Sequence, residues 1–397
     1  MWQAELRVDL DAIRENVSRL RAGTDAELMA VVKGDGYGHG MLPAAYAALD
    51  AGADWLGVCT LDEALTLRRS GITAPVLAWL LPPGVPLHEG LVAGVDLGAA
   101  SLDQLGEMIT ASRFAGRPAR VHVKIDTGLS RGGATIDDWP ALIEAAAKAE
   151  ADGLIEVVGV WSHFVHADAP GHPTVDRQLA VFHEALALAE RVGIRPRYRH
   201  LANSAATLTR RDTHFDLVRP GVSVYGLSPI AGEQYGLRPA MTARARVMLT
   251  KRVPAGTGVS YGHTYFTERE TTLAVVPLGY ADGVPRHASN AGPVQVAGGI
   301  RRVAGRVCMD QFVLDCGDDP VAAGDVVTLF GDGTDGAPTA DDWAEAADTI
   351  NYEIVTRFGG VRVPRVYDGA PVPVAPPSAT PLAGAAEAVS VTPEVSR

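Results

Sequence analysis

Short apolar runs alternate with amphipathic stretches from about Leu28 to Gly226, and that alternation predicts the architecture. The runs predicted as strands are Met29–Lys33, Trp55–Cys59, Pro75–Trp79, Val95–Gly98, Val121–Ile125, Val157–His163, Tyr198–Ala202 and Leu217–Arg219. Between most of them lie helical segments such as Asp62–Arg69, Leu102–Ser112, Trp139–Ala149 and Val175–Val192. Eight strands that are apolar throughout, with helices between them, describe a parallel sheet covered on both faces. Eight such units closing on themselves give a TIM-type (β/α)8 barrel, usually of about 250 residues. An open doubly wound sheet is the alternative, but it lacks the glycine fingerprint expected of it.

Past Tyr225-Gly-Leu-Ser-Pro229 the texture changes. Met241–Val253, Leu273–Leu278, Val294–Val296, Ile300–Met309 and Val326–Phe330 predict strands joined by glycine turns, with one late helix from Ala340 to Arg357. Such spacing implies a second, mostly antiparallel β domain. The expected division is a barrel over residues 10–234, a β-rich domain from residues 1–9 and 235–368, and a disordered tail over 369–397 rich in Pro, Ala, Ser, Thr and Val.

Composition narrows the partners. A chain of 397 residues is long enough for two cores, and a formal charge of −12 argues against nucleic acid or an anionic membrane. No apolar run approaches the ~20 residues of a membrane-crossing helix, and the polar start Met1–Asp9 is unlike a signal peptide. Cys59, Cys308 and Cys316 show neither paired nor zinc-ligand spacing, which fits a reducing cytoplasm. His163, His166 and His172 invite a metal reading. Residues three apart on a strand running into a loop point to opposite faces, however, so no metal is expected.

Chemistry enters at Leu28–Gly40. An apolar strand runs to Lys33, and glycines follow at positions 34, 36, 38 and 40. Barrel chemistry sits at strand C-termini, and Lys33, His163, Asn203 and Arg219 all fall there. Apolar surroundings penalise an ammonium ion, so a lysine in that setting can act as an amine nucleophile. Such amines form Schiff bases with carbonyls, including the aldehyde of pyridoxal phosphate. Standing alone, the same lysine reads as a surface residue beside a flexible turn. A Walker loop is excluded because the lysine precedes the glycines. The dinucleotide fingerprint fails here at His39 and Met41. It recurs at Gly331–Gly336, where Asp332 and Asp335 would repel a pyrophosphate.

Further segments keep Lys33 company: Lys124-Ile-Asp-Thr-Gly-Leu-Ser-Arg131, His200-Leu-Ala-Asn-Ser204, Arg219-Pro-Gly-Val-Ser-Val-Tyr-Gly226, Val259-Ser-Tyr-Gly-His-Thr-Tyr265, Gly279-Tyr-Ala-Asp-Gly283, Gly305-Arg-Val-Cys-Met-Asp-Gln311 and Asn351-Tyr-Glu-Ile-Val-Thr-Arg357. In these motifs and their order, from Leu6 to about Tyr367, the chain resembles the alanine racemase family of fold-type III pyridoxal-phosphate enzymes.

The resemblance implies pyridoxal 5'-phosphate on Lys33, with Tyr37, Asn203, Ser204, Tyr352, Gly221 and Val222 around the cofactor and its phosphate. Hydroxyls and backbone N–H groups suit that anion, although Ser204 and Gly221 could equally serve as helix cap and turn. It implies a homodimer with shared active sites, interconverting L- and D-alanine and supplying D-alanine for peptidoglycan. Racemisation needs proton acceptors on both faces of the substrate: Lys33 on one and a partner's Tyr261 on the other. A phenol is a weak base unless positive charge is near, and the resemblance provides His163 in contact with Arg219. Arg219 would face the pyridine nitrogen and, being able only to donate, keep it unprotonated. Arg131 would hold the substrate carboxylate. A partner's Met309 would close the pocket, and Tyr265, Tyr280 and Asp310 would line its mouth. Lys124 matches a lysine that is carbamylated in many family members, where it orients the arginine at position 131. Leu129-Ser-Arg-Gly-Gly133 departs from the commoner Met, Gly or His, Arg, Leu, Gly, while keeping the arginine. Alternatives are another fold-type III enzyme (a serine racemase or a decarboxylase) or a non-catalytic pyridoxal-phosphate carrier. The Tyr261 and Met309 segments weigh against the decarboxylase, and the second domain weighs against the carrier.

Overall fold

The computed structural model describes residues 2–372. After β1 (Ala4–Asp9), eight strands form one sheet: β2 (Glu27–Val31), β3 (Trp55–Val58), β4 (Val76–Ala78), β5 (Asp96–Ala99), β6 (Ala119–Lys124), β7 (Ile155–Trp161), β8 (Tyr198–His200) and β9 (Leu217–Val218). Every neighbouring pair is parallel, in the order β8-β7-β6-β5-β4-β3-β2-β9. Two backbone bonds close the remaining gap: Asp216 N–H to the Arg199 carbonyl at 3.1 Å, and Arg219 N–H to that of Ala202 at 3.0 Å. The sheet is therefore a TIM-type barrel, with each sequence-predicted strand present within two residues at either end. Lys33 is a small exception. The strand stops at Val31, because Gly34, Asp35 and Gly36 all take left-handed backbone.

Local chemistry starts the covering helices where the pattern predicts them. Asp9 caps Leu10–Ala22, Thr60 and Glu63 form a reciprocal cap on Leu61–Arg69, and Ser101 caps Leu102–Ala115. Inside the barrel, Met29, Trp55, Leu77, Val158, Tyr198 and Leu217 form an apolar floor.

The second domain contains β10 (Met241–Arg246), β11 (Leu249–Val253), β12 (Gly258–Val259), β13 (Tyr265–Phe266), β14 (Thr271–Val276), β15 (Pro293–Val296), β16 (Gly299–Arg302), β17 (Phe312–Asp315), β18 (Val326–Phe330) and β19 (Arg365–Asp368). Its sheets run β16-β15-β18-β10-β1-β19 and β11-β14-β17, with β12-β13 as a small ribbon. All these pairs are antiparallel except β1 with β19, so the start of the chain is sewn into the second domain.

Four expectations change. Met241–Val253 is two strands in different sheets, broken after Arg246. Ile300–Met309 leaves its sheet after Arg302, and Gly305 turns at φ +80° against Val259. The late helix is split into Ala340–Ala346 and Asn351–Arg357 by Asp348 at φ +53°. Of the tail assigned to 369–397, residues 373–397 lie outside the described residues. Ala370, however, is docked: its N–H donates to Asp11 and its carbonyl accepts from Arg14.

Asn16 ties the first helix to the segment entering the second domain. Its amide donates to the carbonyls of Val224 (3.3 Å) and Arg238 (2.9 Å) and accepts from Arg238 N–H (2.8 Å). Asn16→Ala strands those buried backbone groups, and chemical denaturation should show a loss of about 2–4 kcal/mol. A loss within error would mean that the junction is held elsewhere.

Candidate active site

Lys33 sits at the barrel mouth, half-buried, with Nζ 5.8 Å from the Tyr37 ring centre and 5.9 Å from that of Trp79. The loop behind it is fixed by its glycines. Gly38 (φ +83°) leaves no room for a side chain against Val355, and Gly40 (φ +94°) none against Tyr367. Arg365 of the second domain clamps the same loop, donating to the Gly38 carbonyl at 2.7 Å and pairing with Asp35 at 2.7 Å.

Next to it is a cradle of hydroxyl and backbone groups. Ser204 Oγ accepts from Gly221 N–H at 2.8 Å, and a β-carbon at position 221 would collide with the Tyr37 hydroxyl. Tyr352, on helix Asn351–Arg357, brings its ring within 6.3 Å of that of Tyr37. Val222 follows in the same turn, and Asn203 caps the helix that begins at Ser204. Burial pushes the Tyr37 phenol well up and that of Tyr352 to about 12, so both remain proton donors. Two phenols, one hydroxyl and the backbone of a glycine turn fit a phosphate, and the neighbouring lysine fits an aldehyde. The residues present thus suit pyridoxal phosphate.

Arg219 is buried at 5% exposure. Its guanidinium reaches the carbonyls of Ser162 (2.8 Å) and Leu201 (3.3 Å), His200 Nδ1 (3.2 Å) and His163 Nδ1 (3.4 Å), and lies 5.0 Å from the Trp161 ring centre. Among the described residues no carboxylate pairs with it. Burial lowers it to about 9, so it stays charged at neutral pH. His163 is held well below the usual histidine value, first by burial and then by Arg219, Arg131, Lys124 and Lys33. That ring is neutral, and it senses four cations gathered at one mouth.

Lys124 lies over Trp161, with Nζ 4.6 Å from the ring centre. Burial, then Arg219 and Arg131, lower it to about 8 against the opposing pull of Asp126. Arg131 is exposed on the following loop, where Asp126 Oδ1 accepts from Gly128 and Leu129 N–H at 2.8 and 2.9 Å.

A second group stands apart. Tyr261 is 71% exposed, Met309 53% and Tyr280 43%. Ser260 is bonded through Oγ to the Arg306 carbonyl (2.7 Å), while Tyr280 and Ala281 N–H groups donate to the carbonyls of Cys308 and Met309 (both 3.0 Å). These bonds brace the three side chains on one surface. Asp310 pairs with Arg362 at 2.6 Å, and the Tyr265 hydroxyl donates to Asp315 at 2.8 Å beside the domain's own small core. No hydrogen bond, ion pair or ring contact among the described residues joins Tyr261 to Lys33, His163 or Arg219.

Sequence reasoning missed Trp79 and Trp161 beneath the cations, and the buried polar groups His200, His122 and Asp96. The available signal was polarity inside otherwise apolar strands: His122 is two residues before Lys124 on the same face of β6. Gly331–Gly336 is an acidic turn, with Asp332 accepting from Thr334. The described residues contain no cluster of three or more His, Cys, Asp or Glu able to hold a metal, and no helix long and apolar enough to cross a membrane.

The lowered Lys124 gives a pH-dependent prediction. About a tenth of its amine is neutral at pH 7, against roughly one part in a few thousand for an ordinary lysine. Labelling with an amine reagent after removal of carbon dioxide, followed by mass spectrometry, should show the free Lys124 amine reaching half-maximal reactivity near pH 8. A midpoint in the ordinary lysine range would refute the electrostatics.

The chain matches the family description "Alanine racemase, N-terminal domain" over residues 8–229 and "Alanine racemase, C-terminal domain" over 240–367. It is 79% identical to an alanine racemase of Salinispora tropica over 369 residues, 93% of this chain and 99% of that one. The alanine racemase structure from D-cycloserine-producing Streptomyces lavendulae superposes with a TM-score of 0.92 at 54% identity, covering 93% of this chain and 98% of that one. The alanine racemase of Bartonella henselae, solved with covalently bound pyridoxal phosphate, superposes at 0.85 with 28% identity, covering 93% and 100%.

Proposed function

The chain belongs to the alanine racemase family, and from that premise we propose that it interconverts L- and D-alanine between two proton-exchanging groups, Lys33 and the partner subunit's Tyr261. Enzymatic racemase activity comes with the family. The observation that carries the two-group reading is the division of the site. Lys33 stands with the phosphate cradle at the barrel mouth, while Tyr261 is offered on an exposed, braced loop that meets none of them.

Lys33 would hold pyridoxal 5'-phosphate, with Ser204, Gly221, Val222, Tyr37 and Tyr352 around its phosphate and Asn203 shaping the turn. When bound, that cofactor supplies an electron sink that acidifies the α-carbon of the amino acid. Lys33 Nζ then takes or returns the proton on one face, and the Tyr261 hydroxyl serves the other. Arg219 can only donate, so beside the cofactor's pyridine ring it would disfavour a proton on the ring nitrogen and would keep the electron sink weak. Neutral His163 would orient the incoming phenol. Arg131 takes the substrate carboxylate, and a carbamylated Lys124 would steady it. The low Lys124 value favours carbamylation, since carbon dioxide adds to a neutral amine. Met309, Tyr280, Tyr265 and Asp310 come from the second-domain side to narrow the pocket. A homodimer in the cytoplasm, making D-alanine for peptidoglycan, completes the reading.

The test is complementation. Lys33→Ala should lose the visible cofactor band and all turnover. Tyr261→Ala should keep the band and lose at least about 100-fold in conversion of L-alanine. Mixing the two inactive variants under subunit exchange should restore about a quarter of wild-type activity, because half the randomly formed pairs carry one intact site. A mixture that stays inactive, or a Tyr261→Ala enzyme that racemises normally in both directions, would sink the shared-site mechanism. L-serine assayed beside L-alanine measures the breadth of the pocket.

A further inference from the structure

Below Arg219 the barrel carries a single line of hydrogen-bonded groups. Arg219 Nη1 lies 3.2 Å from His200 Nδ1, His200 Nε2 lies 2.8 Å from His122 Nδ1, and His122 Nε2 lies 3.2 Å from Asp96 Oδ2. At the opposite rim Asp96 takes Arg120 in a two-pronged pair, at 2.8 and 3.1 Å. Arg120 also meets Glu156 at 2.9 Å. Exposure is 5% for Arg219, 0% for both histidines and 2% for Asp96, so no solvent intervenes along the line.

The two ends determine every proton between them. A guanidinium only donates, so His200 Nδ1 accepts and the His200 proton lies on Nε2. An ionised carboxylate only accepts, so His122 donates from Nε2 and keeps Nδ1 as an acceptor. Worked inward from either end, the central bond comes out as His200 Nε2–H to His122 Nδ1. Both rings are neutral, and all three bonds point from the cation to the anion.

The surroundings are shaped for this line. Gly159 pairs with His122 across β6 and β7, and a β-carbon there would collide with His122 Nδ1. Trp161 stacks on His200 at 5.5 Å and 2°, and its indole N–H donates to the His122 carbonyl at 3.2 Å. Trp55 stands edge-on to His122 at 5.6 Å.

We propose that Asp96 and His122 are positioning residues for racemisation: acting through His200, they fix the direction and support the charge of the Arg219 guanidinium at the barrel mouth. The inference rests on reading Arg219 as the cation that faces the cofactor. Aligned hydrogen bonds polarise one another, so the carboxylate's charge is felt further along the line than a single contact would carry it. Without His122, His200 can adopt its other tautomer and turn an N–H towards Arg219, setting donor against donor. The residues act at a distance and touch nothing that reacts.

The experiment compares His122→Phe, Asp96→Asn and Gly159→Ala with Tyr198→Phe, a packing control on the barrel floor whose hydroxyl bonds Glu27 instead (3.1 Å). All are measured as full chains loaded with pyridoxal phosphate. The three line variants should lower kcat by about 10- to 100-fold with KM for alanine within about twofold, and should shift the visible cofactor band. Tyr198→Phe should move neither. In the wild type without cofactor, histidine 15N spectra should place the protons of His122 and His200 on Nε2. Should His122→Phe fail to fold, Asp96→Asn is nearly isosteric and carries the same kinetic test. Line variants that lose only thermal stability, as the control does, would overturn the proposal, and so would a His200 protonated on Nδ1. A wild type that fails to racemise alanine would defeat the functional reading instead, leaving the 15N measurement to judge the line.

Discussion

A guanidinium sealed inside a barrel dictates the order around it. Removing such a charge from water costs several kcal/mol, and it must be offset by groups already aimed at it. Here the offset comes from carbonyls at the ends of β7 and β8, two imidazoles and the face of Trp161. One side chain therefore pins the C-terminal ends of neighbouring strands, and its charge adds to burial, the larger cause, in holding His163 and His200 neutral. With no carboxylate against Arg219 among the described residues, the positive potential of Arg219, Lys124, Lys33 and Arg131 is left facing the mouth. A site of that kind favours anions, which is the shared demand of a phosphate and an amino-acid carboxylate.

The second constraint is the left-handed loop after Lys33. Gly34, Gly36, Gly38 and Gly40 all have positive φ, and the last two touch Val355 and Tyr367 too closely for any side chain. Arg365 bonds the same loop, and Tyr352 arrives on the adjoining helix. The β domain is thus part of the wall behind the lysine. β1 pairs with β19 in that domain's sheet, so the start of the chain is joined to the strand that carries Arg365 and Tyr367.

Much of this was legible in the sequence, because it depends on local periodicity and on short motifs. The eight barrel strands read as apolar runs, and the Lys33 loop reads as alternate glycines. What escaped depends on tertiary context. Polar His122 and Asp96 look like anomalies in apolar strands until the barrel sets His122 between Asp96 and His200. Val303–Met309 reads as strand by composition, but a left-handed turn at Gly305 and docking against Tyr280 and Ala281 draw it out of the sheet. Nothing in the periodicity of Ala340–Arg357 announces the break at Asp348. The Tyr265 hydroxyl donates to Asp315, a partner fifty residues away that no local pattern reveals.

The loop bearing Tyr261 bears on the proposed second subunit. Ser260 adopts φ 60° and ψ −172°, a region that is essentially the preserve of glycine. Such a conformation costs of order 1–3 kcal/mol and persists only where the surroundings over-determine it. The bond from Ser260 Oγ to the Arg306 carbonyl and the nearby Cys308 sulfur supply that restraint. What the strain achieves in one chain is to hold a large aromatic ring in water, which burial energetics alone would not select. Strain spent on exposure makes sense if the ring's destination lies beyond its own chain. The cationic mouth, whose own lysine is proposed to serve only one face of a substrate, is the destination that the proposed mechanism gives to a phenol.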